Sequence, residues 1–173
     1  MTDSQGGPES ADGGAGDETA KARGAQLGQA AAAYRRGELE QAGRLCHELL
    51  EADRDDFEAL LLLTLIDHRA GRSDAAARHV ERAVALDGGS PEAWATRGLI
   101  LRALGRDAEA LQSYAQALAI RPDLPDALYN RANLLRAAGR YEEALASYDR
   151  ALAVNGEDPE ALNNRGVVLQ ELE

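Results

Sequence analysis

Several residue types are nearly missing from this 173-residue chain: it holds one cysteine (Cys46), one lysine (Lys21), one tryptophan, one phenylalanine and one methionine, and only 4% of it is aromatic. A lone thiol closes no disulfide, and without a CxxC pair or a Cys/His cluster no metal site is expected. His47, His68 and His79 stand in unrelated positions, and no Ser or Cys has a visible base partner, so no catalytic residue is assigned. There is no glycine-rich phosphate loop behind a strand, which removes nucleotide chemistry, and no cofactor is expected. No apolar run approaches about 20 residues, and the N-terminus lacks the basic start and apolar stretch of a secretory signal, so neither a membrane segment nor export is expected. A cytoplasmic location follows as the expectation. With 19 Lys and Arg against 30 Asp and Glu, the formal net charge is -11. Counterion-releasing contact with nucleic acid needs clustered cations, so that partner class is not expected.

What is present is a repeat. Gly37, Gly71, Gly105 and Gly139 recur at one interval, and Ala42, Ala76, Ala110 and Ala144 at the same interval of 34 residues. Such a period marks a solenoid, whose units bury their apolar faces only by stacking on one another. Units run 23–56, 57–90, 91–124 and 125–158, with a partial fifth at 159–173. Pro91-Glu92, Pro125-Asp126 and Pro159-Glu160 put proline at a first helical position and an acid in the first turn. Gly105 and Gly139 suit the left-handed residue that ends a helix. Behind Gly139, Tyr141, Ala144, Leu145, Tyr148, Ala151 and Leu152 form a stripe at spacings of three and four, so a second helix follows. Thr64, Gly98, Ala132 and Gly166 are small where paired helices meet, allowing close axes.

Residues 1–22 differ. They are rich in Gly, Asp, Ser and Glu, and carry Asp3, Glu9, Asp12, Asp17 and Glu18 against Lys21. So little apolar surface cannot offset the entropy of ordering, and a disordered acidic tail is expected, with Ser4 and Ser10 as candidate modification points.

Trp94, Gly98, Leu101, Ala110, Tyr114, Ala117 and Pro122, followed one unit later by Leu128, Ala132, Leu135, Tyr141, Ala144, Tyr148 and Ala151, resemble the signature of the tetratricopeptide repeat family. Unit one departs from it, with Gln26 in the large apolar position and Cys46 in the aromatic one. The resemblance implies an all-α, right-handed superhelical solenoid of antiparallel helix pairs. Its first helices would line a concave groove that holds a peptide or a partner protein. Asn130-Arg131-Ala132 and Asn163-Asn164-Arg165-Gly166 are similar to the repeats of bacterial proteins related to O-GlcNAc transferase and the SPINDLY group, and comparable arms precede sulfotransferase-like domains.

On that resemblance, Asn130 and Asn164 face the groove, as two rungs of an amide ladder gripping a peptide backbone or as solvated, capping amides. Thr96 and Leu62 occupy the same phase in earlier units. Tyr129 points into the groove as an aromatic anchor. With Asn133 and Asn163, and Arg102 and Arg136 at the margin, these residues are the candidate partner-binding set. Arg102 and Arg136 belong to a series with Arg69, Arg72, Arg106 and Arg140, read either as a strip for acidic peptides or as cations at helix C-termini opposite Asp74, Asp107, Glu109, Glu142 and Glu143. Arg97, Arg131 and Arg165 are expected to be a structural ladder, their stems covering apolar surface. Leu61, Leu65, Ala95 and Thr96 stand where the family's carboxylate clamp would need cations and amides, so chaperone C-termini are not expected ligands. Cys46 is expected to be an inert buried thiol.

Glu173 falls within the first helix of a fifth unit, which leaves Leu162, Val167, Val168 and Leu169 short of a packing partner. The expectation is an array continuing into a longer protein, or a homodimer through that end. The chain itself is expected to be a protein-interaction module. The alternative is the substrate-recruiting arm of a glycosyltransferase or sulfotransferase, whose catalytic domain lies beyond it.

Overall fold

The computed structural model describes residues 13–173, and among them every regular element is a helix. In chain order these are α1 (Gly13–Arg36), α2 (Leu39–Ala52), α3 (Phe57–Arg69), α4 (Ser73–Leu86), α5 (Pro91–Ala103), α6 (Asp107–Ile120), α7 (Pro125–Ala137), α8 (Tyr141–Val154) and α9 (Pro159–Glu171).

The local signals explain these boundaries. Asp56 caps α3 by accepting from the Ala59 amide at 3.0 Å, and Ser90 caps α5 by accepting from that of Ala93 at 3.1 Å. Pro91, Pro125 and Pro159 open their helices, where a missing N–H costs nothing. At the other end Gly71 takes a φ of +74°, and the amides of Gly71 and Arg72 return to the carbonyls of His68 and Asp67 at 3.0 and 2.8 Å. This closed turn satisfies the last carbonyls and reverses the chain; Gly37, Gly105 and Gly139 repeat it.

Each odd helix packs on the even helix after it, and each even helix on the next odd one. The odd helices also touch one another in sequence, α1 to α3 to α5 to α7 to α9, whereas the even ones do not. An inner layer of odd helices therefore lines one surface, and the even helices splay on the outer one. Between the layers lie Ala42, Ala76, Ala110 and Ala144, all fully buried, with Val80, Tyr114 and Tyr148 at the larger phase. Gln26, at unit one's large apolar position, reaches across to α2 instead, donating to Glu48 at 2.7 Å.

Helix α1 starts at Gly13 rather than near residue 23. The tail expected over residues 1–22 is thus helical in its last part, and its first twelve residues lie outside those described. The helix extends there through alanines of high helical propensity and an Asp17–Lys21 pair one turn apart, 2.9 Å between charged atoms.

Candidate partner-binding groove

The inner surface carries a groove of about 490 Å³ spanning α1, α3, α5 and the start of α7. Leu27, Leu61, Leu62, Leu65 and Leu99 line it with Ala31, Ala95, Thr96 and Asn130. Glu58, Glu92 and Asp126 stand along its edge. In the later units the same phases carry Tyr129, Asn130 and Asn133, then Asn163 and Asn164. The groove surface therefore changes from leucine to amide along the array. The leucine half was legible as the absence of clamp residues, but not as a pocket.

The candidate residues fall into separate groups. Tyr129, Asn133 and Asn164 form one hydrogen-bonded cluster. Asn164 Nδ2 donates to the Tyr129 hydroxyl at 3.2 Å and to Asn133 Oδ1 at 3.1 Å. The Tyr148 hydroxyl donates to the same Asn133 oxygen at 2.5 Å, and the Tyr129 hydroxyl donates to Glu160 at 2.9 Å. The rings of Tyr129 and Tyr148 meet edge to face, 6.2 Å between centroids. Asn133 is buried and the other two are half-buried, so much of their hydrogen-bonding capacity is spent within the protein. Asn130 stands apart, in the wall of the leucine groove. Asn163 is exposed on α9 and bonds to no described residue.

The arginine series divides as well. Arg106 and Arg140 each make a two-pronged contact to an acid one turn on, Glu109 and Glu143, with all distances 2.7 or 2.8 Å. Arg72 holds buried Asp67 at 2.8 Å, and Arg69 donates to the Tyr34 carbonyl at 3.1 Å beneath a cation–ring contact. Arg102 and Arg136 make no ion pair with any described residue, and Arg136 Nε is buried without a hydrogen-bond partner. Burial raises the Tyr148 phenol above its ordinary value, and Arg136, through a hydrogen bond and its charge, and Arg102, through its charge, oppose that shift.

Elsewhere the chemistry is structural. Arg97 donates to Ser113 at 2.7 Å and pairs with Glu81 at 2.9 Å, which ties α5 to both neighbouring outer helices; Arg131 reaches Ser147 at 2.6 Å and Arg165 reaches Asp149 at 2.6 Å. Cys46 is fully buried, and desolvation pushes its thiol up to about 12, which leaves no thiolate at neutral pH. Among the described residues no helix is long and apolar enough to cross a membrane, and no His, Cys, Asp and Glu side chains group to hold a metal.

Sequence models described as "Tetratricopeptide repeat" and "TPR repeat" match residues 33–100 and residues 98–135 and 132–172 respectively. The chain belongs to the tetratricopeptide repeat family. It is therefore a repeat scaffold of the protein-interaction kind. Among solved structures it is similar to PilF of Pseudomonas aeruginosa, at 20% identity over 87% of this chain and 69% of that one, with a TM-score of 0.81. It is similar to the O-GlcNAc transferase of Thermobaculum terrenum at 31% identity and a TM-score of 0.71, covering 76% of this chain but 26% of that one. A third likeness is to YrrB, a TPR protein with an unusual peptide-binding site, at 20% identity over 83% and 74% of the two chains, with a TM-score of 0.64. Curated protein sequences gave no match.

Proposed function

We propose that this tetratricopeptide array docks an extended segment of a partner protein along the groove of its odd helices. The observation that carries this reading is the groove itself: half-buried leucines Leu61, Leu62, Leu65 and Leu99 open to solvent on the inner face, with Asn130 where the lining turns polar. Apolar side chains left open in a concave surface gain from being covered by a ligand. The amide of Asn130 supplies both a donor and an acceptor to an extended backbone. Tyr129, Asn133, Asn163, Asn164, Arg102 and Arg136 are the further contacts along the same path. The peptide-binding site named for YrrB supports such a use of the fold.

Asn130→Ala tests the assignment cleanly, because Asn130 makes no hydrogen bond that holds the array together. It should weaken a recovered partner about tenfold, roughly 1.4 kcal/mol, by titration calorimetry, with an unchanged thermal melt. An unchanged affinity would remove Asn130 from the site.

The 31% identity to the O-GlcNAc transferase favours one second reading, that the array recruits substrates to a glycosyltransferase domain elsewhere in a longer protein. The mass of the native protein recovered from its cells separates the two readings. A species well above 18.4 kDa with transferase sequence would support the arm, and one of 18.4 kDa would eliminate it.

A further inference from the structure

Units three and four, at the end of the groove where its lining turns polar, differ at one phase. In unit four the Tyr148 hydroxyl ends on Asn133, at 2.5 Å. One repeat earlier the counterpart of Asn133 is Leu99, which lines the groove and offers no acceptor. The Tyr114 hydroxyl, on a fully buried side chain, has no hydrogen-bond partner there. Arg136 Nε is likewise buried and unpartnered. Arg102 sits one repeat before Arg136 at the same phase, exposed and without an ion pair among the described residues. Arg102 acts electrostatically on both tyrosine hydroxyls, and Arg136 acts on that of Tyr148 by charge and by a hydrogen bond, so these groups lie near one another between α5 and α7, beside the groove-lining Leu99.

The opposite edge is the reverse. Glu58, Glu92, Asp126 and Glu160 recur at one phase near the starts of the odd helices, and the protein occupies three of them itself. Arg23 pairs with Glu58, Arg121 pairs with Glu92 at 2.5 Å, and the Tyr129 hydroxyl donates to Glu160. In a chain with 30 acids and 19 cationic residues, two of these four acids hold a cation and a third holds a phenol, while two adjacent arginines of the basic edge are left without an acid. Arg72, Arg106 and Arg140, a few residues away, each hold one.

We infer that the partner segment is acidic: a large apolar side chain seats among Leu62, Leu65 and Leu99, and a neighbouring Asp or Glu carboxylate is held by Arg102 and Arg136. Guanidinium suits that role, since its planar fork matches the two carboxylate oxygens and it stays charged when desolvated. Arg102 and Arg136 stand at one phase of α5 and α7, two inner helices in contact, and Arg102 lies one turn beyond the groove-lining Leu99. The apolar neighbour supplies burial and excludes water, which strengthens the charged contact. This assignment rests on the groove reading above and adds the chemistry of its occupant.

Random short peptides displayed on phage and selected against the whole chain test both levels. Enriched sequences should pair Asp or Glu with Leu, Ile or Phe. For a synthetic peptide from the selection, exchanging the acid for its amide should weaken binding about tenfold, and so should Arg102→Gln with Arg136→Gln in the protein. Combining the two changes should cost little more than either alone, because they remove one interaction. Leu65→Glu should abolish binding, with circular dichroism melts confirming that each variant is folded. Enriched peptides without an acid, or acidic peptides indifferent to the arginine changes, overturn the carboxylate assignment; if Leu65→Glu still abolishes their binding, the groove reading stands. No enrichment, or binding indifferent to Leu65→Glu, overturns both.

Discussion

At the scale of single residues, the tightest of the described glycine positions is Gly98, against Tyr114. A Cβ added at Gly98 would meet the Tyr114 ring at 2.6 to 2.8 Å, whereas one added at Gly166, the same phase two units later, meets nothing within 4 Å. Gly98→Ala should therefore destabilise by about 1–3 kcal/mol through overpacking. Gly166→Ala should stabilise by up to about 1 kcal/mol through helix propensity alone. Urea unfolding reads both, and a loss at Gly166 would mean that helix spacing is not what sets the residue at this phase. The tyrosines make a second pair of opposite sign. Tyr148→Phe deletes a buried hydrogen bond and should cost about 1 kcal/mol, while Tyr114→Phe deletes a buried donor with no partner and should be neutral or stabilising by about 1 kcal/mol. Equal losses in thermal melts would show that the Tyr114 hydroxyl is satisfied.

At the scale of an element, the start of α3 joins a cap to an ion pair. The Asp56 carboxylate, 1% exposed, caps Ala59 and receives Arg23 Nε and Nη2 at 2.6 and 2.7 Å. The Arg23 guanidinium, helped by the backbone amides, holds the carboxyl below its ordinary value against the opposing effect of burial. Because the folded form binds its proton less tightly than the unfolded chain, this stability is fully present above the ordinary carboxylate value of about 4 and is lost as pH falls through the folded one. Asp56→Asn keeps a good cap and removes the charge, so its melting temperature should depend less on pH below about 5 than that of the parent. Asp56→Ala also loses the cap and should cost a further 0.5–2 kcal/mol, roughly, at neutral pH. The ion pair itself is worth little, since Arg23 is 42% exposed and screened by water. Parallel pH profiles for Asp56→Asn and the parent would show that another carboxylate governs the acid limb.

At the scale of the whole molecule, no helix touches anything beyond its second neighbour in sequence. Stability is then a sum of unit and interface contributions rather than one global core. Native-state hydrogen exchange should show the greatest protection in α3 to α7, the middle of the array, which are packed on both sides. Protection should be least in the first turns of α1, where residues 16–25 are exposed, and in α9, whose Leu162 and Leu169 are 49% and 37% exposed. Uniform protection across the array would mean that it opens only as a whole.

The repeat, the proline starts and glycine stops of the inner helices, and the buried phases were legible in the sequence because each signal is local. A positive-φ glycine, a proline at N1 or an alanine at the helix contact acts within a turn of its own position, and the period reports it several times over. The start of α1 was not legible, because weakly apolar helix formers and an acidic composition argue in opposite directions. Function was less so. Arg106 and Arg140 have an acid three residues on and are spent on it, whereas Arg102 and Arg136 have none there, and only the packing shows that no acid from another described helix reaches them. Asn133 and Asn130 look alike along the chain, but one is buried under Tyr148 and the other lines the groove. The sequence alone determined a superhelical stack of helix pairs, through signals repeated at every unit. Only the tertiary structure decided which polar groups are spent on one another across helices, as Tyr129, Asn133, Tyr148 and Asn164 are, because their satisfaction depends on side chains that the solenoid brings in from other helices.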